Sequence, residues 1–271
     1  MLRVQNVCLN ASMKDSGKVI NAFHGCTSLV ELYLVNCSVR NVSHIEFPSL
    51  KTIVLDHVEL SDGESSALLF DGCSVIETLV LSHCEINMDY FCIGIPWLKN
   101  LYIRCCFINS STTVDIDSPE LESLYYVGML VEVFEFAEFD HIRGLAIHVI
   151  PMNKLLQGDD DELDSSCYDF VKYAELVNPF SGVESLCLGQ FSIEALYHQL
   201  LPLPKFCSLK SLHLDTIGMA GWIILGGLLE NASNLETLHF QGFNMYEGGF
   251  ASFFSSLNGV PTCLSSSLKG D

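Results

Sequence analysis

Apolar side chains in this chain recur in one short pattern: an apolar residue, two variable ones, a second apolar, one variable, a third apolar. Leu209-Lys210-Ser211-Leu212-His213-Leu214 is one instance. Nine versions begin at Leu29, Leu50, Ile76, Leu98, Leu121, Ile142, Val183, Leu209 and Leu235, at spacings of 21, 26, 22, 23, 21, 41, 26 and 26 residues. The second and third apolar positions flank a single variable residue, so in an extended segment they face the same way, and the first completes an inward triplet. Each version therefore predicts a strand with one buried face. No single unit of this size buries such a face alone, so each needs a neighbour of the same kind.

All but one of the spacings fall in the 20 to 29 residue window of leucine-rich repeats. The expected fold is an α/β leucine-rich-repeat solenoid, a horseshoe with a parallel β-sheet on its concave face and short helices or loops on its convex face. A short helix is expected from Ser16 to His24, closed by Gly25 in the left-handed conformation that ends helices. Phe70-Asp71-Gly72-Cys73 repeats the arrangement of Phe23-His24-Gly25-Cys26. A buried helix is expected around Trp222 to Leu229, weakened by Gly226-Gly227 and so dependent on packing. Further helices are expected at Tyr168 to Val177 and Ala251 to Leu257. Met1 to Leu9 reads as a degenerate strand of a preceding repeat, which leaves that edge without an evident cap. The long spacing after Ile142 holds the acidic run Gln157 to Asp164. An EF-hand calcium loop needs alternate ligands and a central glycine, which the run lacks, so a solvated loop is expected at 157–166. The domain reading is one solenoid over 1–257.

Composition narrows the function. Thirteen Lys and Arg against 33 Asp and Glu leave a formal charge of −20, which repels phosphate backbones and anionic lipid, so neither nucleic acid nor membrane is an expected partner. The most apolar run, Ile217 to Leu229, has 13 residues, too few to cross a bilayer as a helix. Met1 to Lys18 lacks the uninterrupted apolar core of a signal peptide. The twelve cysteines are scattered with no Cys-x-x-Cys pair, which fits a reducing compartment, cytoplasmic or nuclear. Without an export signal the sequons at Asn10, Asn41, Asn109 and Asn231 read as coincidental. Five of the cysteines recur at repeat positions: Cys26 and Cys73 three residues before a start, Cys37, Cys84 and Cys106 eight after one. Packing accounts for them.

The variable positions two, four and six after each start face away from the core, on the surface where such repeats bind other proteins. From that set the expected protein-binding residues are Tyr33, Asp56, Tyr102, Arg104, Tyr125, His148, His213, Asp215 and His239. Tyr33, Tyr102, Arg104 and Tyr125 are the strongest anchors, because aromatic and arginine side chains dominate interface energetics. His213 and His239 share a register one repeat apart and should meet, but two histidines without a third ligand fall short of a usual zinc site. No phosphate-binding loop, His-Glu-x-x-His, nucleophile elbow or dinucleotide fingerprint occurs. No catalytic residue, cofactor or metal is expected.

Between Pro48 and Leu124 the resemblance to a known family is specific. Pro48-Ser49-Leu50-Lys51-Thr52-Ile53, Leu68-Leu69-Phe70-Asp71-Gly72-Cys73, Pro96-Trp97-Leu98-Lys99-Asn100-Leu101 and Ser118-Pro119-Glu120-Leu121-Glu122-Ser123-Leu124 resemble the repeats of plant F-box/LRR proteins. Gly259-Val260-Pro261-Thr262-Cys263-Leu264 is similar to the opening of the FBD domain that follows those repeats, here a truncated start at 258–271. The resemblance covers nearly the whole chain and implies a substrate-recognition module. A complete relative would present a target for ubiquitin transfer through a Skp-type adaptor and a cullin scaffold. The F-box that contacts the adaptor has no counterpart in the 271 residues, so the adaptor is a partner only where an F-box precedes them. A stand-alone scaffold, a truncated fragment without ligase role and a small-ligand sensor are the other readings.

Overall fold

A computed structural model describes residues 4–13, 16–109, 111–129, 131, 133–136, 139, 141–150, 177, 180–198, 203–217, 219–243, 261 and 263. The acidic segment at 157–166, the expected helices at 168–177 and 251–257, and the FBD-like start at 258–271 lie outside these residues, apart from Val177, Pro261 and Cys263. The chain forms two compact units, Met1–His141 and Ile142–Asp271.

In the first unit, β1 (Asn6–Met13), β2 (Glu31–Cys37), β3 (Thr52–Asp56), β5 (Thr78–Ser82), β8 (Asn100–Ile108) and β10 (Ser123–Gly128) lie side by side in that order, all parallel. Each repeat supplies one strand, and β1 is the degenerate repeat ahead of the first full pattern. The register aligns equivalent residues: Leu32, Ile53, Leu79, Leu101 and Leu124 are successive partners. Each is at most 2% exposed. Alternation along each strand buries the aliphatic side chains and leaves those between them half-exposed. From the start at Leu50 to the one at Leu121, the residue after each start adds a second ladder, of alternating charge. Lys51 Nζ lies 3.1 Å from Glu77 Oε1, and Lys99 Nζ lies 3.9 Å from Glu77 Oε2 on the other side. Opposite charges on neighbouring strands favour the observed register over a slipped one.

At the end of each strand the chain turns sharply. Asn36, His57, His83 and Cys105 occupy the same place in four successive repeats, with φ of 52°, 53°, 52° and 50°. The ladder skips Cys105, since Val127 pairs with Arg104 and Gly128 with Cys106, as in a β-bulge. Left-handed backbone is uncommon outside glycine, and Asn and His tolerate it better than most. The turn swings the next residue inward. Cys84 is fully buried and its thiol donates to the Leu55 carbonyl at 3.3 Å, while Cys106 is 5% exposed. The cysteines eight residues after the starts are thus packing residues. Cys73, three before a start, donates to the Leu69 carbonyl at 3.1 Å, and burial pushes its thiol up to about 12. The eleven described cysteines are all free.

Opposite the main ladder, successive repeats differ. The expected helix α1 (Gly17–Ala22) ends earlier than expected, at the cap residue Phe23; Gly25 has the expected left-handed backbone, φ +73°, but lies two residues further on, where its amide donates to the Glu46 carbonyl at 3.0 Å. Helix α2 (Gly63–Asp71) follows the two-residue strand β4 (Glu59–Leu60), and its N-cap Asp62 accepts from the Ser65 amide. Gly72 ends α2 without left-handed backbone, so its sequence parallel with Gly25 has a different cause: a Cβ there would sit 2.7 Å from the Ile45 carbonyl oxygen. In later repeats a strand replaces the helix. The short β6 (Glu85–Ile86) pairs with β4 and β8. After it, β7 (Tyr90–Ile93), β9 (Thr113–Ile116) and β11 (Val133–Phe136) form a parallel three-stranded sheet in the order β11-β9-β7. These segments have about four residues of β-branched and aromatic character, too short for a helix and suited to a ladder.

The second unit repeats the scheme with β12 (Gly144–Val149), β13 (Ser185–Leu188), β14 (Ser211–Ile217) and β15 (Thr237–Phe243), again parallel and in order. Leu145, Leu186 and Leu212 are buried register partners. Helix α3 (Gln190–His198) packs on β12 and β14 and against α4 (Met219–Asn231). Trp222, Leu225, Leu228 and Leu229 of α4 are buried, which holds a helix that its glycines weaken. Gly227 has a reason of its own: a Cβ there would come within 3.1 Å of Leu203 Cδ1. No described helix is long and apolar enough to cross a membrane.

Candidate functional site

Parallel register stacks the outward positions of each repeat into rows. In the first unit the middle row runs Tyr33, Val54, Val80, Tyr102, Tyr125, and the row beside it runs Val35, Asp56, Ser82, Arg104, Val127. The middle row is half-buried and apolar, apart from its tyrosine hydroxyls. At one end the Tyr33 hydroxyl donates to Glu31 at 3.1 Å, and that bond pushes the phenol up.

At the other end the Tyr102 and Tyr125 rings lie 6.1 Å apart, tilted by 40°. The Arg104 guanidinium carbon sits 5.2 Å from the first ring centroid and 5.0 Å from the second. Cation–π contacts of this kind contribute about 0.5–1 kcal/mol each at an exposed site, enough to hold the guanidinium in place without consuming its hydrogen-bond donors. Among the described residues no carboxylate pairs with Arg104, and it is the one cation in the outward rows of either unit.

Asp56 lies two strands from Arg104 in the same row, about 10 Å at ordinary strand spacing. Its neighbours are histidines. Asp56 Oδ1 is 3.0 Å from His57 Nδ1 and 3.4 Å from His83 Nδ1, and the two imidazoles stack at 4.7 Å with 19° between their planes. Ser82 Oγ lies 3.1 Å from His83 Nδ1. The outward rows do not include this pair, because both histidines sit at the left-handed turn position one residue further on. The signal was available: His57 and His83 share a register one repeat apart, the same relation that links His213 and His239.

In the second unit the remaining expected residues group together. His213 and His239 stack at 5.9 Å and 25°. His148 Nδ1 lies 3.7 Å from Asp215 Oδ2, and His148 Nε2 lies 3.4 Å from the Cys187 sulfur. The intervening repeat makes room with Gly189, where a Cβ would stand 2.8 Å from His148 Nδ1. Thiol, imidazole and carboxylate in line resemble the parts of a nucleophilic triad. The electrostatics run against that use. Burial, with the Asp215 charge adding to it, pushes the Cys187 thiol up to about 11, so it stays protonated near neutral pH. Burial also pulls His148 below its ordinary value, more than Asp215 raises it.

Residues 3–145 match the profile of a family described as "FBD-associated F-box protein At5g56370, LRR repeats". The chain is similar to three proteins of Arabidopsis thaliana. F-box/LRR-repeat protein At2g42730 is 28% identical over 85% of this chain and 50% of its own length. F-box/LRR-repeat protein At3g59250 is 30% identical over 89% of this chain and 58% of its own, and F-box/LRR-repeat protein At4g14096 is 28% identical over 79% and 45%. The chain spans about half the length of these relatives. No solved structure matches. The profile spans more than half of the chain and covers the very repeats whose strands align one by one in the first unit. The chain therefore belongs to the plant F-box/LRR-repeat proteins of the FBD-associated type.

Proposed function

We propose that this chain is the target-recognition part of an F-box protein, a non-catalytic repeat module that binds a protein segment on the outward face of its sheet. The observation that carries the reading is the Tyr102–Arg104–Tyr125 cluster. A guanidinium held over two aromatic rings and, among the described residues, without an acidic partner is preorganised for a carboxylate on another molecule, and the flanking apolar row offers contact area beside it. Tyr33 and Asp56 extend that face in the first unit, and His148, His213, Asp215 and His239 supply polar contacts on the second. The names of the relatives support an F-box ahead of such repeats, which would join the bound target to a Skp-type adaptor and a cullin scaffold in the full-length protein. The protonated Cys187 thiol supports a binding role rather than a catalytic one.

The test compares captured proteins for the wild-type chain, for Arg104→Glu and for Tyr102→Ala with Tyr125→Ala, with Trp97→Ala as a control at an exposed site outside the outward rows. A target held by the wild type and by Trp97→Ala, and lost at least tenfold in the other two, supports the reading. Equal capture by all four forms overturns it.

A further inference from the structure

Asp56, His57 and His83 form, among the described residues, the one group of three His, Cys, Asp or Glu side chains whose ligand atoms all lie within 4.8 Å of one another. We propose that they bind a divalent transition-metal ion of the zinc type, in a site separate from the Arg104 cluster, with Asp56 the one residue it shares with the recognition face above. Two imidazole nitrogens and one carboxylate oxygen are a donor set such ions accept, with a remaining position for water. Zinc bonds to nitrogen and oxygen of about 2.0–2.1 Å place tetrahedral ligand atoms about 3.3 Å apart. The observed separations from Asp56 Oδ1, 3.0 Å to His57 Nδ1 and 3.4 Å to His83 Nδ1, bracket that spacing without any rearrangement of the backbone.

Nδ1 of both rings converges on one carboxylate oxygen, which is more than an ordinary surface histidine achieves. The backbone accounts for the convergence. The parallel register sets Asp56 beside Ser82, and the identical left-handed φ at the next residue turns both imidazoles the same way. The site is reachable, since the His57, His83 and Asp56 side chains are 56%, 51% and 37% exposed. The other stacked pair, His213 and His239, belongs to no such three-donor group and serves as an internal control.

Cobalt(II) and zinc(II) titrations by calorimetry and absorbance test the proposal on the whole 271-residue chain. The exposed thiols of Cys8, Cys105 and Cys207 are first alkylated so that they do not compete. One ion is expected to bind with a d–d spectrum free of thiolate charge transfer. The double variant His57→Gln with His83→Gln should weaken binding at least tenfold, as should Asp56→Asn, while His213→Gln with His239→Gln leaves it unchanged. Circular-dichroism melts establish that the variants fold. Failure of the wild type to take up cobalt, or equal affinity in the His57/His83 double variant, overturns the proposal. Target capture through Arg104 is a separate readout, so either proposal can fail alone.

Discussion

Leu101 and Tyr102 are adjacent, yet the fold treats them in opposite ways. Leu101 is fully buried between Leu79 and Leu124, while the Tyr102 ring stands half-exposed beside Arg104. A charge at the first position has no partner and no water. Leu101→Asp is expected to cost more than about 4 kcal/mol, a large share of the 5–15 kcal/mol that stabilises an ordinary domain. Tyr102→Asp should leave the unfolding midpoint within a small margin of the wild type. Urea denaturation followed by circular dichroism makes the comparison, and equal damage from both would mean that the strand faces are assigned the wrong way round. Leu212 and His213 form the same pair in the second unit, since Leu212 is buried and His213 faces outward.

Among the elements, α2 shows how one side chain sets a boundary. Asp62 accepts from the Ser65 hydroxyl at 2.6 Å and from the Ser65 amide at 3.2 Å, so one free donor at the helix start is satisfied. The Ser65 hydroxyl, and after it the amide, hold the Asp62 carboxyl below its usual range. A lowered folded value means that the cap stabilises above the unfolded carboxylate value near 3.9 and loses that contribution as the pH falls through the lower folded one. Asp62→Ala should therefore cost about 1 kcal/mol near neutral pH and much less in acid. Denaturation midpoints of the two forms across that range provide the check, and a pH-independent difference would rule out the carboxylate as the cause. One repeat later β7 stands where α2 would be, because Tyr90–Ile93 is too short for a helix and rich in strand-forming residues.

Across the molecule, charge is the dominant long-range feature. The chain carries −20, and the cross-strand pairs of Lys51, Lys99 and Lys210 neutralise only a little of it. Exposed pairs contribute about 0–1 kcal/mol each, so screening them costs less than screening the repulsion of the excess carboxylates gains. Raising sodium chloride from about 10 mM to about 150 mM shortens the Debye length from about 30 Å to about 8 Å. The thermal midpoint should rise over that interval. A fall would show that the ion-pair ladders outweigh the net charge. The same surplus makes Arg104 conspicuous, since the one cation in the described outward rows suits an acidic segment that the net charge of the chain would otherwise repel.

Much of this was legible in the linear pattern. Spacing of the aliphatic triplets was enough for parallel strands, their inward faces and the outward rows, because burying such a face requires a like neighbour in register. The cysteines at Cys84 and Cys106 also followed from repeat position alone. Three features came only from the folded chain. Gly72 and Gly227 are small because other segments approach them, a contact that adjacent residues do not encode. Short strands replace helices at β7, β9 and β11, because four-residue segments take their form from the ladder they join. The Asp56, His57, His83 group depends on a left-handed turn that reverses the simple alternation of a strand. Periodicity records which side chains must leave water; which polar groups meet once they have done so is set by backbone turns and by neighbours far along the chain.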